Sequence, residues 1–191
     1  MIVKTFFGLL MLLVAYFCFW PVVIEPLAWR APTAPDYLGD FAVNDVLKNV
    51  EQLSMGDQSG PEGVVVDAVG NVYATTEQGW IVRWKKGELE GEKWVKLPGR
   101  GLGICLGSNN DFWVADAFEG VFHISAEGVL TRRLTEVEGQ PLQYANDLVM
   151  SADGKIYLTD STARFSAKTY GSTYKASLVD IIEHQYTGRL I

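Results

Sequence analysis

Hydrophobic positions along this chain follow two patterns, one continuous and one periodic. From Phe6 to Ile24 no residue is charged and most are apolar. A helix of that length rises ~28 Å at ~1.5 Å per residue, close to the ~30 Å of a bilayer's hydrocarbon core, with Pro21 a place for it to bend or end. Lys4 precedes the run and Glu25 follows it, a bias that puts the N-terminus inside and the remainder outside the membrane. The run closes on Phe17, Phe19 and Trp20, where a cleaved leader needs small residues. Residues 1–24 therefore read as a single-pass membrane anchor, with the rest on the extracytoplasmic side. Residues 25–55 follow as a linker and lead-in in which Pro26, Pro32 and Pro35 favour extended chain. Asn44 to Leu53 suits a short helix or an irregular lead-in. Asn49 to Met55 suits an outer strand whose partner lies elsewhere.

From residue 56 onward the pattern becomes periodic. Three segments align: GVVVDAVGNVYATTEQGWIVRW from Gly63, GICLGSNNDFWVADAFEGVFHI from Gly103 and DLVMSADGKIYLTDST from Asp147. Tyr73, Trp113 and Tyr157 share one place in the repeat, at spacings of 40 and 44 residues. Each unit is an apolar strand, a turn rich in Gly, Asn and Asp, and a second strand, which is a hairpin signal. The first two units add a third strand at Trp80–Trp84 and Gly120–Ile124, with fourth strands at Lys93–Leu97 and Leu130–Leu134. Four short strands every 40–45 residues or so describe a propeller blade. The inner strands are apolar throughout, as burial on both faces requires. Residues 56–191 thus read as the N-terminal part of an all-β propeller, about two and a half to three blades. By the repeat, the chain ends at the third strand of the third blade, as in a truncated product. Lys168 to Glu183 reads as an insertion in that blade, helical around Ala176 to Ile182.

Composition narrows the chemistry. The net charge is −7, which argues against nucleic acid as a partner, since phosphate neutralisation needs a basic surface. The cysteines, Cys18 and Cys105, and the histidines, His123 and His184, are isolated from one another, so no zinc spacing exists. Ser161 has no base within motif distance, which disfavours a serine nucleophile. Asp116 and Asp160 follow the second strands of their units and suit turn-bonding roles.

The segments GPEGVVVDAVGNVYATTEQGWIVRW, YANDLVMSADGKIYLTDST and FSAKTYGSTYKASLVDIIEHQYTGRLI resemble the senescence-marker-protein/gluconolactonase/strictosidine-synthase-like family. The lead-in PVVIEPLAWRAPTAP and its preceding anchor resemble bacterial membrane-anchored members. The resemblance implies a six-bladed propeller around a central channel. It also implies a Ca²⁺ ion held there in members that hydrolyse lactones or esters. On that resemblance Glu62 matches the first acidic ligand and Asn146 an Asn facing metal or substrate. Both residues also stand immediately before an innermost strand, at equivalent points of two repeats, and their oxygens suit a hard cation that takes ~6–8 oxygen ligands. Two ligands are too few for a tight site, so weak or absent Ca²⁺ binding is expected of this chain. Asp147 suits a bracing role. Tyr170 and Tyr174, in the insertion, face substrate or simply pack. The expected partner is a small-molecule substrate of a hydrolase, the site being half represented here and this piece by itself expected to be inactive. An amine–aldehyde condensing enzyme of the strictosidine synthase kind and a non-catalytic membrane-tethered scaffold are the alternatives.

Overall fold

The computed structural model describes residues 2–34 and 36–191, so Pro35 of the linker lies outside the described residues. Helix α1 covers Ile2–Phe19. A single 3₁₀ turn, Gly39–Phe41, interrupts an otherwise irregular segment up to the first sheet. That sheet has β1 (Val64–Val66), β2 (Val72–Thr75), β3 (Trp80–Trp84) and β4 (Glu92–Lys96), in sequence order. The second has β5 (Gly101–Leu106), β6 (Phe112–Asp116), β7 (Gly120–Ile124) and β8 (Leu130–Leu134), again in order. A small hairpin, β9 (Glu136–Val137) and β10 (Gln140–Pro141), leads to β11 (Ala145–Met150) and β12 (Ile156–Asp160). Two helices follow, α2 (Ala167–Tyr170) and α3 (Thr173–Glu183), before β13 (Arg189–Leu190) closes a third, three-stranded sheet. All strand pairs within these sheets are antiparallel, and β1 and β11 each lie against β5.

The repeat explains the sheets. Each β1–β2-type hairpin turns at a short polar loop that its own side chains close. In the first, Asp67 accepts the backbone N–H groups of Val69, Gly70 and Asn71, the Asn71 amide and the Tyr73 hydroxyl. Burial pushes the Asp67 carboxyl up, but these bonds outweigh it and hold the group below its ordinary value. Ser151 plays the same part in the third sheet, where its hydroxyl accepts the Lys155 N–H.

Between the first and second sheets lies a core of Tyr73, Ile81, Val95, Leu97, Ile104, Phe112, Val114 and Ile124. Tyr73, Trp94 and Phe112 meet there with ring centroids 4.6–5.0 Å apart. Between the second and third sheets Ala115, Val121, Ala145, Leu148 and Leu158 pack together. The far face of the first sheet buries Ala74, Val82 and Trp84 under Met55.

Three expectations need correction. The helix expected over Phe6–Ile24 starts earlier and ends earlier. It takes in Lys4 and stops at Phe19, because Pro21 has no N–H to donate and disfavours helical backbone at Trp20. Its 18 residues rise only ~27 Å, and among the described residues no helix is long and apolar enough to cross a membrane. Second, the inner strands are not all covered on both faces. Val64 and Val66 of β1 are 57% and 55% exposed, and Val149 of β11 is 59% exposed, because these strands border on one sheet where β5 borders on two. Third, the segment before the first sheet has a partner: Ser54 bridges Glu90, and the Trp84 indole N–H donates to the Ser54 carbonyl at 2.8 Å.

Candidate functional site

The inner strands of all three sheets enter one end of the fold with the same irregularity. Opposite Thr75, two residues occupy the place of one: Glu62 N–H donates to the Thr75 carbonyl, and Thr75 N–H donates to the Gly63 carbonyl. The third sheet repeats this, its register skipping Asn146 between Ala145 and Asp147. The second also gains one residue between Gly101 and Ile104. A bulge of this kind turns its extra side chain out of the alternation of the strand. By the repeat, Glu62, Leu102 and Asn146 are equivalent, as are Gly63, Gly103 and Asp147.

The bulges converge. Glu62, Gly63, Val64, Gly103, Ile104, Asn146 and Asp147 line one open, polar cavity of about 310 Å³. The structure thus brings together Glu62, Asn146 and Asp147, which are far apart in sequence. Close approach depends on two glycines. A Cβ at Gly63 would meet the Leu102 carbonyl oxygen at 2.4 Å, and one at Gly103 would meet Asp147 Oδ1 at 2.3 Å. The Thr75 hydroxyl ties the first two sheets here, donating to the Leu102 carbonyl at 2.6 Å and accepting from Gly63 N–H at 3.0 Å.

The donors differ in how firmly they are held. Asp147 Oδ1 accepts its neighbour's Leu148 N–H at 2.8 Å, while Asp147 N–H donates to Thr159 Oγ1 at 3.0 Å. Glu62 is half-exposed, and its nearest cation is Arg100, 3.9 Å away. Arg100 was not apparent as a site residue from sequence. Its side chain is 14% exposed, lies between Glu62 and Glu77, and its Nε has no hydrogen-bond partner. Only its place two residues before a bulge position hints at this. Leu102, the middle equivalent of Glu62 and Asn146, is 3% exposed and packs with Tyr144, Ala117, Ala167 and Ala176. It offers no ligand atom from its side chain.

A neighbouring cavity of about 350 Å³ is lined by Tyr144, Asn146, Ser161, Thr162, Ser177 and Asp180, so Asn146 borders both. Burial raises the Tyr144 hydroxyl above its ordinary value. Tyr170 packs edge-on to Phe165 at 6.4 Å, and Tyr174 is 69% exposed; neither lines either cavity. Asp116 and Asp160 are buried and bond backbone: Asp116 accepts from Gly99, Phe118 and Glu119, and Asp160 from Tyr144, with Arg189 as its counter-ion.

A Ca²⁺ ion wants ~6–8 oxygens at ~2.3–2.6 Å. The chain supplies oxygen donors of the right hardness at Glu62, Asn146 and Asp147. One Asp147 oxygen already accepts a hydrogen bond, and the middle blade adds only an apolar side chain. Among the described residues no group of three or more His, Cys, Asp or Glu can hold a metal ion.

Comparison with known proteins agrees with this architecture. Residues 39–84 match the family described as strictosidine synthase-like, N-terminal. Adipocyte plasma membrane-associated protein of Rattus norvegicus is 30% identical over 185 residues, covering 88% of this chain and 47% of that protein. STRICTOSIDINE SYNTHASE-LIKE 7 of Arabidopsis thaliana is 28% identical over 156 residues, covering 78% of this chain and 40% of that protein. The chain spans about half the length of the curated relatives it matches. Among solved structures, a protein assigned as a gluconolactonase superposes with a TM-score of 0.52 at 20% identity, over 64% of this chain and 42% of that one. That likeness bears on fold alone, and the fold is propeller-like.

Proposed function

From a chain that carries a strictosidine synthase-like N-terminal domain and is homologous to adipocyte plasma membrane-associated protein, we propose one wall of the active-site channel of a membrane-associated propeller hydrolase acting on small lactones or esters. The observation that carries this reading is the meeting of Glu62, Asn146 and Asp147 in one polar cavity. A carbonyl substrate needs a donor at its oxygen and an anionic group that holds a water or a cation beside it. Asn146 supplies an amide for the first task, and half-exposed Glu62 a carboxylate for the second. Asp147, bonded to Leu148 N–H, keeps the bulge that aims Asn146. In a metal-using member, Glu62 and Asn146 would be ligands of Ca²⁺, whose contribution is to polarise the carbonyl. Further oxygens are needed for that, so this chain takes the ion weakly.

The match over residues 39–84 favours a second reading. A strictosidine synthase-like site condenses an amine with an aldehyde and needs no metal. Assay of the chain against a panel of lactones, aryl esters and amine–aldehyde pairs, with and without Ca²⁺, separates the two. Hydrolysis that rises with Ca²⁺ and falls in Glu62→Gln supports the first reading. Metal-independent condensation overturns it in favour of the second. Turnover of neither class with Ca²⁺ binding lowered by Glu62→Gln is the result one wall of such a channel gives, whereas turnover of neither class with Ca²⁺ binding unaffected by Glu62→Gln leaves a non-catalytic scaffold.

Membrane association belongs to the same reading. The large apolar side chains of α1 from Val3 to Phe19 are 43–84% exposed, a surface suited to lipid.

A further inference from the structure

Helix α3 starts cleanly, with Ser172 Oγ accepting Lys175 N–H, and ends at His184 in the left-handed conformation. Its inner side buries Ala176 and Glu183. Its outer side carries Tyr174, Leu178, Ile181 and Ile182, 69%, 39%, 67% and 57% exposed. These positions follow the i, i+4, i+7, i+8 spacing of one helix stripe. Tyr186, just beyond the helix, is 95% exposed. A water-facing helix surface is ordinarily polar, so this stripe calls for a cover.

The linker indicates which cover. It is strapped across the C-terminal end of α3. Glu183 Oε1 accepts Glu25 N–H at 2.9 Å, and the Glu183 carbonyl accepts Leu27 N–H at 2.8 Å. The Gln185 amide donates to the Glu25 carbonyl at 2.7 Å, and the Trp29 ring lies 4.7 Å from His184. Arg164 pairs with Glu183, whose carboxylate is fully buried and has one oxygen without a partner. A buried acid with a charged partner is costly to place on a surface helix; here it holds the strap. Only Trp20 to Ile24 separate the end of α1 from this strap, and the six steps from Phe19 to Glu25 reach at most ~22 Å. Whatever surface receives α1 therefore lies beside the C-terminal end of α3. Trp29 lies against His184 at that end, Tyr186 follows it directly and Trp20 closes α1, residues suited to the headgroup level of a bilayer.

We propose that the Tyr174–Leu178–Ile181–Ile182 face of α3 is a lipid-docking surface, laid on the same bilayer that takes α1. The proposal rests on the membrane association read above. Ser177 and Asp180 of the same helix line the cavity that Asn146 borders, so docking sets that cavity beside the membrane surface.

Photo-cross-linking tests it. The full chain is bound to phosphatidylcholine/phosphatidylserine vesicles containing a diazirine-bearing phosphatidylcholine, and cross-linked tryptic peptides are mapped. Adducts on both α1 and the 176–189 peptide are expected, the latter falling several-fold in Ile181→Asp/Ile182→Asp while α1 adducts persist. Both substitutions lie on exposed positions, so the fold should tolerate them. Adducts on 176–189 alone also support the docking surface, with α1 dispensable. Adducts on α1 alone overturn it and leave membrane association standing. No adducts on either overturn both. Protein–protein cross-links joining 176–189 of two chains, in place of lipid adducts, identify a second copy as the cover and also overturn it.

Discussion

The second sheet and its two neighbours are built from the same repeat, yet they live in different surroundings. In the second, the inner strand begins Gly101, Leu102, Gly103 and Ile104, all buried, because a sheet lies on each side. In the first, Val64, the equivalent of buried Ile104, is 57% exposed, and Val66 and the third sheet's Val149 are more than half exposed where their equivalents Leu106 and Cys105 are half-buried. The difference teaches that an inner strand's composition records the repeat, while its burial records its neighbours. The polar bulge residues follow the same division: Glu62 and Asn146 belong to the outer sheets, and Leu102 fills the middle one.

The largest test of this contrast is a pair of core truncations. Ile81→Ala, fully buried between the first and second sheets, should cost about 2–5 kcal/mol. Val64→Ala, on the open face, should stay within about 0.5 kcal/mol. Urea unfolding of both checks it, and equal losses would mean the open face is covered in solution. Next in size is Gly103→Ala. Its new Cβ has no room beside Asp147, so a loss of about 1–3 kcal/mol is expected, together with a changed environment at Asn146 visible by NMR.

The smallest stability effect concerns the hairpin tips. Asp67 is held below its ordinary value because its hydrogen bonds outweigh the burial that opposes them. A carboxyl depressed in the folded state stabilises above its unfolded pKa of ~3.9, and that contribution disappears as pH falls through the lower folded value. Asp67→Asn should therefore cost about 1 kcal/mol at neutral pH and flatten the loss of stability on acidification below about pH 4. An unchanged acid limb in the variant would count against this role. In the second sheet the equivalent position is Gly107, and Asp111 takes over with His123 as partner at 2.8 Å, so Asp67→Asn leaves that hairpin untouched.

Much of the fold was legible because the repeat is local. Aromatics at 73, 113 and 157 mark the second strands, and β3, β7 and β8 fall where the pattern puts them. The helical insertion around Ala176 was legible for the same reason. The site was legible only as equivalent positions. The alignment put Glu62 and Asn146 at matching points, but the bulges that turn their side chains arise from pairing with Thr75 and Thr159, which no local pattern displays. The packing of Gly103 on Asp147 is likewise a contact between blades. Arg100 and the strap from Glu25 to Glu183 were hidden because charge and proline content say nothing about a partner 158 residues away. The N-terminal helix was legible in place but not in extent, since hydropathy weighs Trp20 to Ile24 as apolar and Pro21 suits a bend as well as the end that the backbone makes there.

Most direct is a terbium-luminescence and calorimetric Ca²⁺ titration of the full chain beside Glu62→Gln and Asn146→Ala. Convergence of these two side chains on one incomplete oxygen site predicts weak binding, on the order of 10⁻⁴ M or weaker, diminished by both substitutions. Tight binding in the chain, or weak binding that neither substitution changes, would contradict it.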